Sequence, residues 1–252
     1  MLCLAFILLA GGALKAQAPS AVLDFQTILN SITAKYGRVL DVTNTELTGT
    51  ITYAGKTAGT PFTLTFRQRE VRCEFQDVTG TVVSIRQDGR VQHTRGGKIG
   101  FPNQSALFSS HVNLSPVFGL LSFNNDDRFT SSVVTAKDGS VGLSFREGTP
   151  RGQVPPPFPQ PKLIVTFWLT STYLIESASY TYDDKRDVLV TYRYTHDLSV
   201  PGAFLQANNV ELLTGTTSVW RADISKTRNN VTLTTDFFKI LENRERKFSP
   251  LP

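Results

Sequence analysis

In stretch after stretch of this chain, apolar and polar residues trade places at every second position. Leu47, Gly49 and Ile51 alternate with Thr48, Thr50 and Thr52. Phe62, Leu64 and Phe66 alternate with Thr63, Thr65 and Arg67, and Val71, Cys73 and Phe75 with Arg72, Glu74 and Gln76. Val83 and Ile85 alternate with Ser84 and Arg86, and Asp88-Gly89 then supplies a favoured two-residue hairpin turn. A period of two with one polar face belongs to antiparallel strands that keep one side wet. Parallel strands covered on both faces read instead as continuous apolar runs. The expected fold is therefore mainly β, within the α+β class, with no doubly wound βαβ alternation.

Two segments break the pattern. From Ala21 to Tyr36, Val22, Phe25, Ile28, Leu29 and Ile32 recur at three and four, which predicts an amphipathic helix stopped by Gly37. From Ser105 to Phe123 an apolar stretch with patchy helical spacing is interrupted by Pro116, which predicts two short helical pieces with a break near Asn113–Pro116. Strands resume at Phe129–Ala136 and Val141–Arg146 around a Lys137-Asp138-Gly139 turn. They continue at Leu163–Thr170, Leu174–Tyr182, Asp187–Thr195, Ala203–Leu213, Thr217–Ser225 and Thr232–Phe237. Residues Gly148–Pro161 hold six of the 13 prolines and read as a long loop inside one sheet. The expected organisation is a signal peptide over residues 1–18, approximately, followed by one β domain over 19–252.

The signal reading rests on the apolar run Leu2–Ala10, too short to span a bilayer, and on the small-x-small form of Ala16-Gln17-Ala18. It predicts a periplasmic or otherwise exported protein. Removal of the signal leaves Cys73 as the one cysteine, so neither an internal disulfide nor a cysteine metal cluster is expected. The formal net charge of +5 is spread along the 252 residues without a basic block, which argues against a nucleic-acid partner.

Chemistry is sparse. His93, His111 and His196 are far apart in sequence, and no metal-ligand or phosphate-loop spacing occurs. Cys73 and His93 would make a nucleophile–base pair only if the thiol left the apolar face it shares with Val71 and Phe75. Asp126-Asp127 and Asp183-Asp184 lie in turn-like contexts, where Asx side chains bond nearby backbone. Tyr180, Tyr182, Tyr192 and Tyr194 form two i, i+2 pairs that fit a cross-strand ladder, or else a carbohydrate or peptide platform. No enzyme activity and no cofactor is expected.

Several segments resemble one family. A helix ending in Tyr36-Gly37 leads to Leu47-Thr48-Gly49-Thr50-Ile51. Next come Arg69-Glu70-Val71-Arg72-Cys73-Glu74 and the hairpin Val83-Ser84-Ile85-Arg86-Gln87-Asp88-Gly89-Arg90-Val91. Near the end stand Asp223-Ile224-Ser225 and Thr234-Thr235-Asp236-Phe237-Phe238. This order is similar to the LolA-like periplasmic lipoprotein and lipid carriers. The resemblance implies a curved antiparallel half-barrel with an N-terminal helix, helical lid segments and an apolar concave face. It also implies binding or transport of a lipid or acyl chain, with a lipoprotein as one such ligand. The candidate lining is Phe62, Leu64, Phe66, Val71, Phe75, Val83, Ile85, Leu120 and Leu121. The longer second half and the proline-rich insertion leave room for another lipid. They also leave room for a structural or scaffolding envelope protein that binds a partner through a sheet edge or the proline loop.

Overall fold

The computed structural model describes residues 24–37, 42–67, 70–77, 80–87, 90–96, 98–100, 111–148, 160–184, 189–196 and 206–240. The segment expected as a signal peptide, the turn expected at Asp88-Gly89 and most of the proline-rich stretch lie outside them. Helix α1 (Phe25–Tyr36) opens the described chain. Asp24 caps it, accepting from the Thr27 amide at 3.1 Å, and Gly37 ends it at φ 83°, a conformation that glycine adopts without strain. Ile28, Leu29, Ile32 and Tyr36 form its buried stripe, as the spacing of three and four requires.

Strands β1 (Thr45–Tyr53), β2 (Thr60–Arg67), β3 (Glu70–Asp77), β4 (Gly80–Gln87), β5 (Arg90–Arg95) and β6 (Lys98–Gly100) follow. A 3-10 turn (His111–Leu114) and helix α2 (Pro116–Asn124) come next. The expected break thus falls at Ser115, and Pro116 occupies the first helical turn, where its missing N–H costs nothing. The second half supplies β7 (Phe129–Thr135), β8 (Val141–Glu147), β9 (Leu163–Leu169), β10 (Ile175–Tyr182), β11 (Val190–His196), β12 (Ala207–Thr214) and β13 (Thr217–Asn229). The expected strand at Thr232–Phe237 does not form: β13 runs on to Asn229, and Asn230 then turns the chain at φ 55°.

All thirteen strands join one antiparallel sheet in the order β6-β5-β4-β3-β2-β1-β13-β12-β11-β10-β9-β8-β7. Each strand pairs with its sequence neighbours except β6 and β7, which do not pair with each other, and in the middle the first strand, β1, meets the last, β13. Among the described residues the edge strands are β6 and β7, consecutive in the chain, so the segment holding the 3-10 turn and α2 has to pass from one edge to the other.

That passage is short because the sheet curls. Phe118 of α2 packs edge-on against Phe66 of β2, with centroids 5.5 Å apart, while Phe123 reaches Phe145 of β8 at 6.1 Å. Seven strand spacings separate β2 from β8, about 34 Å in a flat sheet. Five helical residues advance only about 7.5 Å. One short helix touches both strands only if they bend toward each other around it. Register shifts help the bend: a bulge interrupts β1–β13 between Thr48 and Gly49, and others interrupt β9–β10, β11–β12 and β12–β13. At Gly49 a Cβ would lie 2.1 Å from the Asp223 carbonyl oxygen, so the bulge admits no side chain there.

The two faces differ as the alternation implies. The outer face is laced with ion pairs, among them Arg193–Glu211, Arg221–Asp223 and Arg228–Glu46. It is also partly covered by the last described segment. Phe238, 2% exposed, lies under the Arg67 guanidinium, and Arg72 stacks on Phe237 and donates to its carbonyl at 3.1 Å. The inner face and both helices share the hydrophobic core.

Candidate ligand-binding face

On the first half of the sheet, register fixes which side chains share the inner face. Leu47 stands opposite Leu64 and Leu64 opposite Cys73, while Phe62 stands opposite Phe75 and Phe66 opposite Val71. Phe62, Leu64, Phe66 and Val71 are buried in the core; Phe75 packs against it partly exposed. Leu120 of α2 is fully buried, and Leu121 is partly buried against the same cluster. Seven of the nine candidate lining residues therefore meet on this face or on the helix that covers it.

Val83 and Ile85 do not, which corrects their expected place. Val71 pairs with Arg86, Cys73 with Ser84 and Phe75 with Val82. Residues opposite one another in an antiparallel ladder share a face, so β4 turns Val82, Ser84 and Arg86 inward and Val83 and Ile85 outward. Val82 and Val83 are adjacent and both apolar, so the period of two has two phases to choose from there.

The inner face of β4 and β5 is accordingly polar. Ser84 and His93, paired across the ladder, join Oγ to Nδ1 at 2.7 Å, and both are buried. Burial pushes the His93 imidazole below its ordinary range and lowers the Arg86 guanidinium as well. Cys73 sits one strand further in, buried beside Ser84 on the ladder, where a thiol behaves as a small apolar side chain.

On the second half the inner face is aromatic. Phe145, Phe167, Tyr180, Tyr192 and Trp220 run across it. Phe145 and Phe167 have centroids 6.0 Å apart, Tyr180 and Tyr192 5.6 Å, and Tyr192 and Trp220 6.1 Å. Phe123 of α2 sits among Phe129, Phe145, Phe167 and Tyr180. The tyrosine pairs thus form an inward ladder, with Tyr192 and Tyr194 buried. The two acidic pairs serve turns: Asp126 accepts from the Arg128 amide and guanidinium, and Asp183 accepts from the Lys162 amide and from Arg146.

A polar contact ties α1 to this face. The Tyr36 hydroxyl accepts from the Ile175 amide at 3.0 Å and lies 2.9 Å from His196 Nε2. While accepting from Ile175 the phenol still has its own proton to donate, and a neutral His196 ring with a bare Nε2 is able to take it. Burial fits that state, lowering His196 to about 4 and raising Tyr36. Sequence spacing held no sign of this pair, because its members are far apart in the chain.

Away from this face, an open groove of about 730 Å³ runs along the β13 end between Glu46, Arg228, Val231, Leu233 and Phe237. Among the described residues no group of three His, Cys, Asp or Glu side chains is placed to hold a metal, and no helix is long and apolar enough to cross a membrane.

No protein-family model and no curated protein matches the sequence. Among solved structures, the chain is similar to a DUF1329 family protein from Desulfovibrio piger, with a TM-score of 0.47 and 13% identity over 85% of this chain and 96% of that one. It is similar to a domain described as an outer membrane lipoprotein-sorting protein from Vibrio parahaemolyticus, with a TM-score of 0.46 and 10% identity over 84% and 93%. It is also similar to the Mycobacterium tuberculosis lipoprotein LppX, with a TM-score of 0.28 and 9% identity over 84% and 100%.

Proposed function

We propose that this protein binds or carries a lipid or acylated ligand in the cell envelope, without catalysis, in the space between the inner face of the sheet and its helices. The observation that carries the reading is the character of α2. Its sequence, Pro-Val-Phe-Gly-Leu-Leu-Ser-Phe-Asn, has no charged residue. Phe118, Leu121 and Phe123 remain partly exposed while Val117 and Leu120 are buried. A helix that is apolar all round has no face reserved for water. It keeps an apolar contact whether it rests on the sheet or on an acyl chain lying between the two. The aromatic floor beneath it is a surface that hydrocarbon wets well.

The test is extraction of the purified, exported protein with organic solvent, followed by mass spectrometry, together with titration of a fluorescent fatty-acid probe. The reading expects a co-purifying lipid or saturable probe binding, and Phe118→Asp in α2 should abolish the latter. Absence of both lipid and probe binding overturns it, and favours a scaffold working through a sheet edge.

A further inference from the structure

Four buried polar atoms of the 3-10 turn–α2 junction and the second half of the sheet have no partner among the described residues: Ser115 Oγ, Tyr194 OH, Gln206 Oε1 and Trp220 Nε1. Hydrogen bonds and register bring the first three toward one another. The Tyr180 hydroxyl on β10 donates to Asn113 at 2.5 Å, and the Gln206 amide, just before β12, donates to the Leu114 carbonyl at 2.5 Å. Residues 113–115 are thus held above both strands that flank β11. Tyr194 stands on β11 between them, opposite Val210, and is 5% exposed. Trp220 lies two strands over in the same row as Tyr192 and is 1% exposed. Ser115 is the N-cap of α2, fully buried, yet its hydroxyl caps nothing. A buried polar atom left unpaired costs about 1–3 kcal/mol, so each of these atoms gains from a partner.

Resting on the lipid reading, we propose that Ser115, Tyr194 and Gln206, flanked by Trp220, form the head-group subsite for an uncharged lipid bearing an ester and a free hydroxyl, of the monoacylglycerol type. The donor and acceptor inventory selects that chemistry. Trp220 Nε1 only donates and Gln206 Oε1 only accepts, while the two hydroxyls do either. An ester carbonyl takes the donors, and a glycerol hydroxyl satisfies Gln206. A carboxylate has no proton to offer Gln206, and none of the four atoms carries a charge to meet it.

The experiment measures displacement of diphenylhexatriene, a probe without a head group, by monooleoylglycerol and by oleate at pH 8. The wild-type protein should release the probe at about tenfold lower monooleoylglycerol than oleate, the worth of one or two net hydrogen bonds. Tyr194→Phe and Ser115→Ala should each cut that preference to about threefold or less while probe binding stays unchanged. Probe binding with no preference in the wild type, or a preference intact in both variants, overturns the head-group site and leaves the lipid reading standing. Loss of probe and monooleoylglycerol binding in equal measure in the variants also overturns it, because the atoms then serve packing or an internal water. Failure of the wild type to bind the probe overturns the lipid reading and this subsite together.

Discussion

On β8–β11 the inner face carries Phe145, Phe167, Tyr180 and Tyr192, whereas on β4 and β5 the same face carries Ser84, Arg86 and His93. The aromatic side is bent by bulges and has α2 pressed into it. Among the described pairings of β2–β6, the ladders run without a register shift. One continuous sheet therefore holds two environments. A dry one clamps the helix, and at the far end a polar one buries the Ser84–His93 pair. Curvature and aromatic packing go together because a tight bend brings distant side chains onto one short helix.

The largest effect that would test this contrast comes from Phe167→Ala. It should cost about 3–5 kcal/mol in urea unfolding, since the ring touches both Phe145 and Phe123. A loss below about 1 kcal/mol would mean that the aromatic half is loosely packed, and the contrast would fail. Gly49→Ala comes next, with about 3 kcal/mol expected, because the clash is with backbone and no rotamer relieves it. A neutral outcome would show that the β1–β13 bulge is not a fixed part of the bend.

The third test compares the histidines. His196 falls from 6.5 to about 4 in the fold, so the unfolded chain binds more protons between those values. Its contribution is complete above pH 6.5 and is lost as pH falls toward 4, amounting to roughly 2 kcal/mol at pH 4.5. The wild-type melting temperature should thus drop more steeply from pH 7 to 4.5 than that of His196→Gln. Parallel curves would remove the neutral Tyr36–His196 bond from the account. The smallest effect belongs to the polar half: Ser84→Ala should cost about 1 kcal/mol, one net hydrogen bond. An equal loss from Ser84→Ala and Phe167→Ala would erase the difference between the halves.

The sequence made some of this legible and hid the rest for physical reasons. Alternation marked β1–β3 because each has apolar residues in one phase only. It misled at β4, where Val82, Val83 and Ile85 fill both phases while the inner face takes Ser84 and Arg86. The break at Pro116 was visible, since proline fits only the start of a helix. The end of β13 was not, because Ser225–Asn229 lacks a turn signal and the chain turns only at Asn230. Pairing of β1 with β13, the bulges and the convergence beneath Ser115 depend on contacts between distant residues, which no local period encodes.

The meeting of the first and last strands also sets an order of assembly. Each run, β1–β6 and β7–β13, is a meander whose strands find their partners nearby in the chain. The contact that joins them is remote: Ser225 donates to the Thr48 carbonyl across 177 residues. Closing so large a loop is entropically slow, and folding rates fall as such contacts dominate. Until β13 arrives, β1 is a bare edge and the aromatic floor lies open. The sheet is finished by its latest-made strand, β13.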